Sequence, residues 1–548
     1  MSAEIPQVLR QLLGARGMDE AAMRSFLYPD YATGLHDPFL MSDMEPAVER
    51  ILQAREAGER VVVYGDYDID GITATAVMLE VLGAIGVQAS GYIPDRFEEG
   101  YGINQAALEQ LQADGAALVI SVDCGITSVA EAAWAREHGL DLIITDHHTL
   151  PPVIPEAVAV LNPKKPDDDY PFKDLAGVGV AFKLAQALQI ATSLPPEGHE
   201  KWWLDLVAMG TICDIVPLVG ENRVLASFGL KVLRKTRRVG LRALCEVAGV
   251  KQAKLRAYDV GYLLGPRMNA AGRLDNAARS LELVMTQDTA RAREIAAELE
   301  AMNLQRRHDQ DVIFKAADAM AQQFADDPVL VLADEAWSHG VVGIVASKLA
   351  EKWKRPVLLG QVLGENVKGS ARSVAGFDMV SALKANAELL SKFGGHYFAA
   401  GYTLPHERWA DLREGLKAHH ARVMTDTAGE GVELPVDLQW DGLGGVSLDL
   451  VTEFELLEPF GNMNPQPRVK VSGLKLTQRR GVGTDGKHLS VKMADDGGGV
   501  LGGIGFGLTE RYADLAVGDR VTVVGHLGAN EFQGRTSLQM VLSELHHE

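Results

Sequence analysis

Val61-Val62-Val63-Tyr64-Gly65-Asp66-Tyr67-Asp68-Ile69-Asp70-Gly71 joins an apolar run to three carboxylates at alternate positions. A short apolar run closed by glycine reads as a buried strand. Apolar residues at helical spacing over 72–85, closed by Gly86, follow it. The alternation continues with strands expected at 87–93, 117–122, 140–145 and 157–161, and helices at 104–113 and 127–138. Strand and helix in turn imply a parallel sheet covered by helices. Ligand sites in such sheets form beyond the C-terminal strand ends. Three of these ends carry Asp66/Asp68/Asp70, Asp123-Cys124-Gly125 and Asp146-His147-His148. A fourth carboxylate, Asp214, sits inside the apolar run 211–218. Crowded acids are costly unless cations neutralise them. Carboxylates with one or two imidazoles suit Mn²⁺ or Mg²⁺ better than a closed structural zinc site.

Simpler explanations exist for each acid singly. Asp-x-Asp-x-Asp-Gly opens like a calcium loop, but Glu80 lies mid-helix and out of register for one. Asp123 and Asp146 have the chemistry of turn or helix caps. Their coincidence at several strand ends favours a shared metal crevice. A dinucleotide-binding oxidoreductase is excluded, because carboxylates replace the glycine-rich phosphate fingerprint after the first strand.

The rest of the 548-residue chain indicates three or four domains. A helical lead-in spans 1–50 and the acid-bearing α/β domain 51–275. Residues 276–325 lack both Gly and Pro through 324 and read as one long helix or two stacked ones. A second α/β unit spans 326–425, with a helix over 379–392 and a glycine-rich stretch at Gly394. Residues 425–431 read as a linker, and 432–548 as a small all-β barrel or sandwich. Hydrophobic residues at 47% and charged residues at 23% exclude disordered, collagenous and coiled-coil classes. No apolar run reaches the ~18 residues of a membrane helix, and the start shows no signal-peptide pattern. Cys124, Cys213 and Cys245 form neither a disulfide framework nor a zinc pattern, so a reducing cytoplasm is expected.

The net charge of −21 argues against nucleic acid, but its distribution is uneven. Nine basic residues between Lys231 and Arg256 are opposed only by Glu246, and seven between Arg468 and Lys492 only by Asp485. Such stripes track a phosphate backbone. Glycines beside Ser370, Arg372 and His396 (Gly369, Gly394 and Gly395) suggest backbone anion nests, with Arg372 as a bidentate fork. Arg267 and Arg273, flanking Asn269, are further phosphate candidates. The bland alternatives are a solvated helix face for the stripes and a structural salt bridge for each arginine.

Gly65-Asp-Tyr-Asp-x-Asp-Gly71, Asp123-Cys-Gly125 and Asp146-His147-His148 resemble successive motifs of the DHH phosphoesterase family. Residues 94–102 and Gly265-Pro-Arg-Met-Asn-Ala-Ala-Gly-Arg273 are similar to segments of its single-strand-specific exonuclease branch. Gly394-Gly-His-Tyr-Phe-Ala-Ala-Gly401 is similar to the signature of the associated DHHA1 domain. Glu458-Pro-Phe-Gly-Asn-Met-Asn-Pro465 resembles the entry to an oligonucleotide-binding (OB) domain. The resemblance implies a parallel-sheet DHH catalytic lobe, a connecting helix, a DHHA1 lobe and an OB-like barrel. It implies 5′→3′ removal of mononucleotides from single-stranded DNA in repair and recombination. Two Mn²⁺ or Mg²⁺ ions are implied on Asp68, Asp70, Asp123, His147 and Asp214, with Asp66 as a further ligand. Asp123 would bridge the ions and His148 would stand beside the scissile phosphate. Arg273, Ser370 and Arg372 would hold the DNA 5′ end. A monomer is expected, with single-strand-binding protein or a helicase as possible partners. The alternatives are a DHH phosphodiesterase for short oligonucleotides or cyclic dinucleotides, and a non-catalytic DNA-binding scaffold. The barrel and basic stripes count against the first, and the intact ligand set against the second.

Overall fold

The computed structural model describes residues 4–96, 99–100, 102–274, 276–424, 435–532 and 534–548. The 425–431 linker and residues 97, 98 and 101 of the 94–102 motif lie outside the described residues.

The first sheet comprises β1 (Arg60–Gly65), β2 (Ala89–Tyr92), β3 (Ala116–Val122), β4 (Asp141–Thr145) and β5 (Ala159–Leu161). Its order is β2-β1-β3-β4-β5 and every pairing is parallel. The chain therefore reverses its winding between β1 and β3, the point where an open sheet leaves a crevice. The apolar strands are nearly water-free, with Val61, Val63, Ile120 and Ile143 all at 0% exposure. Helices Ile69–Ala84, Gly177–Thr192 and Leu204–Cys213 pack together behind the acid-bearing ends.

The 276–325 region is two helices, Ala278–Met285 and the 33-residue Thr289–Ala321. Asp288 breaks the pattern by capping the second, accepting from the Ala290 and Arg291 amides.

The second lobe holds β6 (Leu330–Asp334), β7 (Val357–Leu363), β8 (Asn366–Arg372), β9 (Lys392–His396) and β10 (Ala399–Pro405), in the order β6-β7-β8-β10-β9. The helix expected over 379–392 is shorter, Met379–Lys384, and the glycine-rich stretch is edge strand β9. Pairing with β10 overrides the glycines' weak strand preference.

The C-terminal strands are β11 (Leu438–Asp441), β12 (Val469–Val482), β13 (His488–Ala494), β14 (Val500–Gly505), β15 (Arg520–Phe532) and β16 (Arg535–His547). Pairing of β12 with β15 closes β12–β16 into a five-stranded barrel, with β11 added at β12.

The N-terminal lead-in is not a unit of its own. Leu9, Leu12, Leu13, Phe26 and Leu27 share one core with the barrel, whereas Met44, Ala47 and Ile51 belong to the first α/β lobe. Arg223 ties three segments together. Its guanidinium donates to Phe26 O, Leu457 O, Leu456 O and Glu458 O and lies 3.6 Å above the Phe26 ring.

Candidate active site

The acids converge because each follows a strand or caps a helix around one crevice. Asp68 is the N-cap of helix Ile69–Ala84 and accepts from the Asp70 and Gly71 amides. The helix thus starts three residues before the expected 72, so Asp70 lies in its first turn. Asp70 accepts from Gly177 N at 2.7 Å and Val178 N at 2.9 Å, at the start of helix Gly177–Thr192. Asp123 follows β3 in a left-handed conformation, φ 62°, which an aspartate tolerates and which turns its carboxylate into the crevice. Asp214 caps the C-terminus of helix Leu204–Cys213.

Nε2 of His147 lies 3.2 Å from Asp123 Oδ1, 3.5 Å from Asp214 Oδ2 and 3.9 Å from Asp70 Oδ2. Three overlapping sets have donor atoms mutually within 4.8 Å: Asp70/His147/Asp214, Asp66/Asp68/Asp123 and Asp123/His147/His148. Asp66 Oδ1, Asp123 Oδ1, His147 Nε2 and Asp214 Oδ2 are buried with no hydrogen-bond partner among the described residues. Orphaned buried acceptors are expensive. Several in one crevice, with Asp123 common to two sets, fit a pair of divalent cations bound by oxygen and imidazole.

The electrostatics agree. Burial, then the charge of Asp68, raises both Asp66 and Asp70, Asp66 well above the carboxylate range and Asp70 to about 7. Burial, then Asp70, raises Asp123 strongly and Asp214 to about 9. Burial, then His148, lowers His147 to about 3, leaving its ring neutral and able to ligate. His148 is raised: burial opposes its charge, but the hydrogen bond and charge of Asp146 outweigh burial.

Asp146 is not one of the open donors. It accepts from Ile126 N, His147 N, His148 N and His148 Nδ1, the last at 2.7 Å. It orients His148 and ties the β3 loop to the β4 loop.

The predicted phosphate residues divide. His148, Ser370, Arg372, Gly394, Gly395 and His396 line one cavity of about 890 Å³ between the two α/β lobes. Arg96, His339, Lys368 and Lys392 line it too, and no carboxylate does among its described residues. Burial, then Arg96, lowers both Arg372 and Lys368, as expected of cations crowded without a counter-ion. Arg273 bridges the lobes by donating to Gly340 O, and burial followed by Arg96 lowers it to about 10.

Arg267 is instead buried in an ion pair with Glu300 and donates to Leu263 O. Its charge is neutralised within the protein by Glu300, which corrects the phosphate expectation. Asn269 Oδ1 accepts from Ile69 N at 2.9 Å and so holds the acid loop instead of a phosphate. The anion nest expected at 369–372 is also absent, because β8 is paired on both sides. The 231–256 stripe is partly spent: Arg238 pairs with Glu80 and Asp205, and Lys254 and Arg256 reach Glu531 and Glu455 near the barrel.

Two glycines were not singled out from the sequence. A Cβ at Gly177 would collide with the Asp123 carboxylate, and one at Gly210 would meet Asp70 Oδ1 at 2.7 Å. Arg96, inside the 94–102 motif, stacks 4.8 Å above the Tyr67 ring beside the acid loop.

Family models match this chain as the DHH family N-terminal domain over 60–211, the DHHA1 domain over 326–423 and the RecJ OB domain over 440–544. The chain is 40% identical to the single-stranded-DNA-specific exonuclease RecJ of Bacillus subtilis, covering 98% of this chain and 68% of that one. The RecJ of Dickeya dadantii is 36% identical, covering 99% and 96%. The chain belongs to the RecJ family. The crystal structure of Thermus thermophilus RecJ with Mn²⁺ superposes with a TM-score of 0.79 at 30% identity, covering 99% of this chain and 78% of that one. The Mg²⁺ complex of the same protein gives 0.74 at 29%, covering 99% and 77%. The lobe–helix–lobe–barrel architecture is thus that of the RecJ family.

Proposed function

We propose that the chain hydrolyses single-stranded DNA from its 5′ end to mononucleotides, using Mn²⁺ or Mg²⁺. One juxtaposition carries this reading: orphaned acids border a cationic cleft with no carboxylate among its described lining residues, and His148 belongs to both. A terminal phosphate fits the cleft and a phosphodiester one nucleotide on would then meet the acids.

Asp66, Asp68, Asp70, Asp123, His147 and Asp214 would hold the ions, with Asp123 shared. Bound divalent cations supply Lewis acidity toward phosphoryl oxygens and a more acidic water. The chain's own groups do the remainder. Asp146 aims His148 and, against its burial, favours the imidazolium, which would donate to the phosphate or leaving oxygen. Ser370, Arg372, His396 and the backbone beside Gly394 and Gly395 receive the terminal phosphate, with Arg96 and Lys368 adding charge. Arg273 holds the two lobes at the spacing this needs.

We further assign the activity to DNA repair and recombination in the cytoplasm. The enzyme acts as a monomer, on strands exposed by a helicase or coated by single-strand-binding protein. No helix among the described residues is long and apolar enough to cross a membrane.

End-labelled single-stranded 40-mers in Mn²⁺, Mg²⁺ or EDTA test the reading. The expected result is release of the 5′ label as mononucleotide, with progressive shortening of the 3′-labelled strand and neither in EDTA. Intact 40-mers beside hydrolysed dinucleotides would replace this reading with a small-substrate phosphodiesterase.

A further inference from the structure

A second cavity, of about 770 Å³, lies on the other side of the acids, between the catalytic lobe and the barrel. Ile212, Cys213 and Ile215 line it beside Asp214, and Phe460, Asn462 and Gly528 line it from the barrel side. His148 belongs to the first cavity and the neighbours of Asp214 to the second. The acids therefore adjoin both cavities, and a strand anchored at its 5′ end in the first can leave along the second.

Tyr258 and Tyr262 line this exit. They are 63% and 70% exposed, yet their rings stack on each other with centroids 4.8 Å apart and planes 25° from parallel. Tyr262 sits in a π-helical turn, Val260–Leu264, a local form that often marks functional sites. The turn is held against the site, with Cys213 Sγ 3.7 Å from Val260 O.

Ile215 faces the same cavity and is 69% exposed. It directly follows Asp214 and has φ 62°, a costly conformation for a β-branched residue. Asn462 of the barrel entry holds it there by donating to Ile215 O at 2.8 Å and accepting from Leu218 N. Three large apolar side chains are thus presented to water beside the scissile position, where burying them would stabilise the fold. Arg256 on the same wall is paired with Glu455 and Glu458, and Asp259 and Glu458 line the cavity too, so this wall offers rings rather than net positive charge.

We propose that Tyr258 and Tyr262 form a stacking platform for nucleobases 3′ of the scissile phosphodiester, with Ile215 as its apolar edge. This rests on the single-strand exonuclease reading and adds where the departing strand is gripped. Stacking needs only a π face, so the grip is sequence-tolerant, and it requires unpaired bases, so it adds single-strand selectivity.

The test uses the full chain with Mn²⁺ and steady-state hydrolysis of single-stranded 40-mers. Tyr258→Ala/Tyr262→Ala should raise KM about 5- to 150-fold, with kcat within about twofold, and Tyr258→Phe/Tyr262→Phe should restore KM. Abasic residues just 3′ of the first linkage should raise the wild-type KM similarly and leave the double alanine variant unaffected. If wild type cleaves but the alanine variant keeps its KM, the platform is overturned and the rings belong to some other contact, such as a protein. Failure of the Phe pair to restore KM also overturns it. A wild type that leaves the 40-mer intact overturns the exonuclease reading and this proposal with it.

Discussion

Nε2 of His147 lies 3.2 Å from Oδ1 of Asp123, and neither atom has a hydrogen-bond partner among the described residues. Leaving even one such group buried and unpaired costs about 1–3 kcal/mol. The crevice keeps several, and four carboxylates in it are raised above their ordinary range. Function, not stability, accounts for that arrangement.

The first consequence is a pH dependence of the metal-free fold. Carboxylates in the unfolded chain titrate near 4, whereas Asp70 and Asp214 hold protons to about 7 and about 9. Their contribution is full below pH ~4 and is lost as pH rises through the folded values. The Tm of metal-free wild type should therefore fall from pH 5 to 9, and fall less in Asp214→Asn. Mn²⁺ binds the deprotonated ligands, so its stabilising increment should grow with pH. At one hundred times Kd it should reach about 2.7 kcal/mol. Calorimetric scans across pH check this, and an equal fall in both proteins would contradict it.

Asp146→Asn should leave the donors in place but release His148. Activity should drop about 10- to 100-fold, the usual cost of losing an outer-shell partner. The alkaline limb of the pH–rate profile should move to lower pH, because Asp146 is what raises His148. An unshifted limb would remove His148 from the role of proton or hydrogen-bond donor.

Gly177→Ala should disturb the site more than the fold. Its Cβ would force the Asp123 carboxylate aside, at about 1–3 kcal/mol for overpacking. Mn²⁺ affinity and activity should fall while the circular dichroism spectrum is retained. Normal Mn²⁺ binding would show that the crevice relaxes around the added methyl.

Two arginines should separate cleanly. Arg372→Ala should raise KM for a 5′-phosphorylated strand and leave Tm nearly unchanged. Arg267→Ala, which strands Glu300, should lower stability by about 1–3 kcal/mol with KM little changed. Steady-state kinetics and thermal melts on both variants check this, and the reverse pattern would exchange their roles.

What was legible in the sequence follows from locality. Asp66 to Asp70, Asp123, His147 and His148 sit immediately after β1, β3 and β4, and parallel sheets deliver such residues to one edge. What was not legible depends on contacts between distant segments. Arg267 and Arg372 are the same residue type, and only Glu300 on the long helix decides that the first is structural. Nothing local at Gly177 or Gly210 announces that a carboxylate passes beside it. The lead-in helices find their apolar partners in a barrel more than four hundred residues later. The glycines of β8 and β9 suggested anion nests, whereas ladder pairing takes up β8 on both sides and places β9 at the sheet edge.

The most direct test of the metal crevice is Mn²⁺ binding by calorimetry on wild type and Asp123→Ala, run beside single-strand hydrolysis. Wild type should bind two ions with proton release that increases as pH falls from 9 to 7. Asp123→Ala should lose at least one ion, and its hydrolysis should fall by more than the 10- to 100-fold of an outer-shell variant. A wild type that binds no ion, or an Asp123→Ala protein that binds both, would contradict the account.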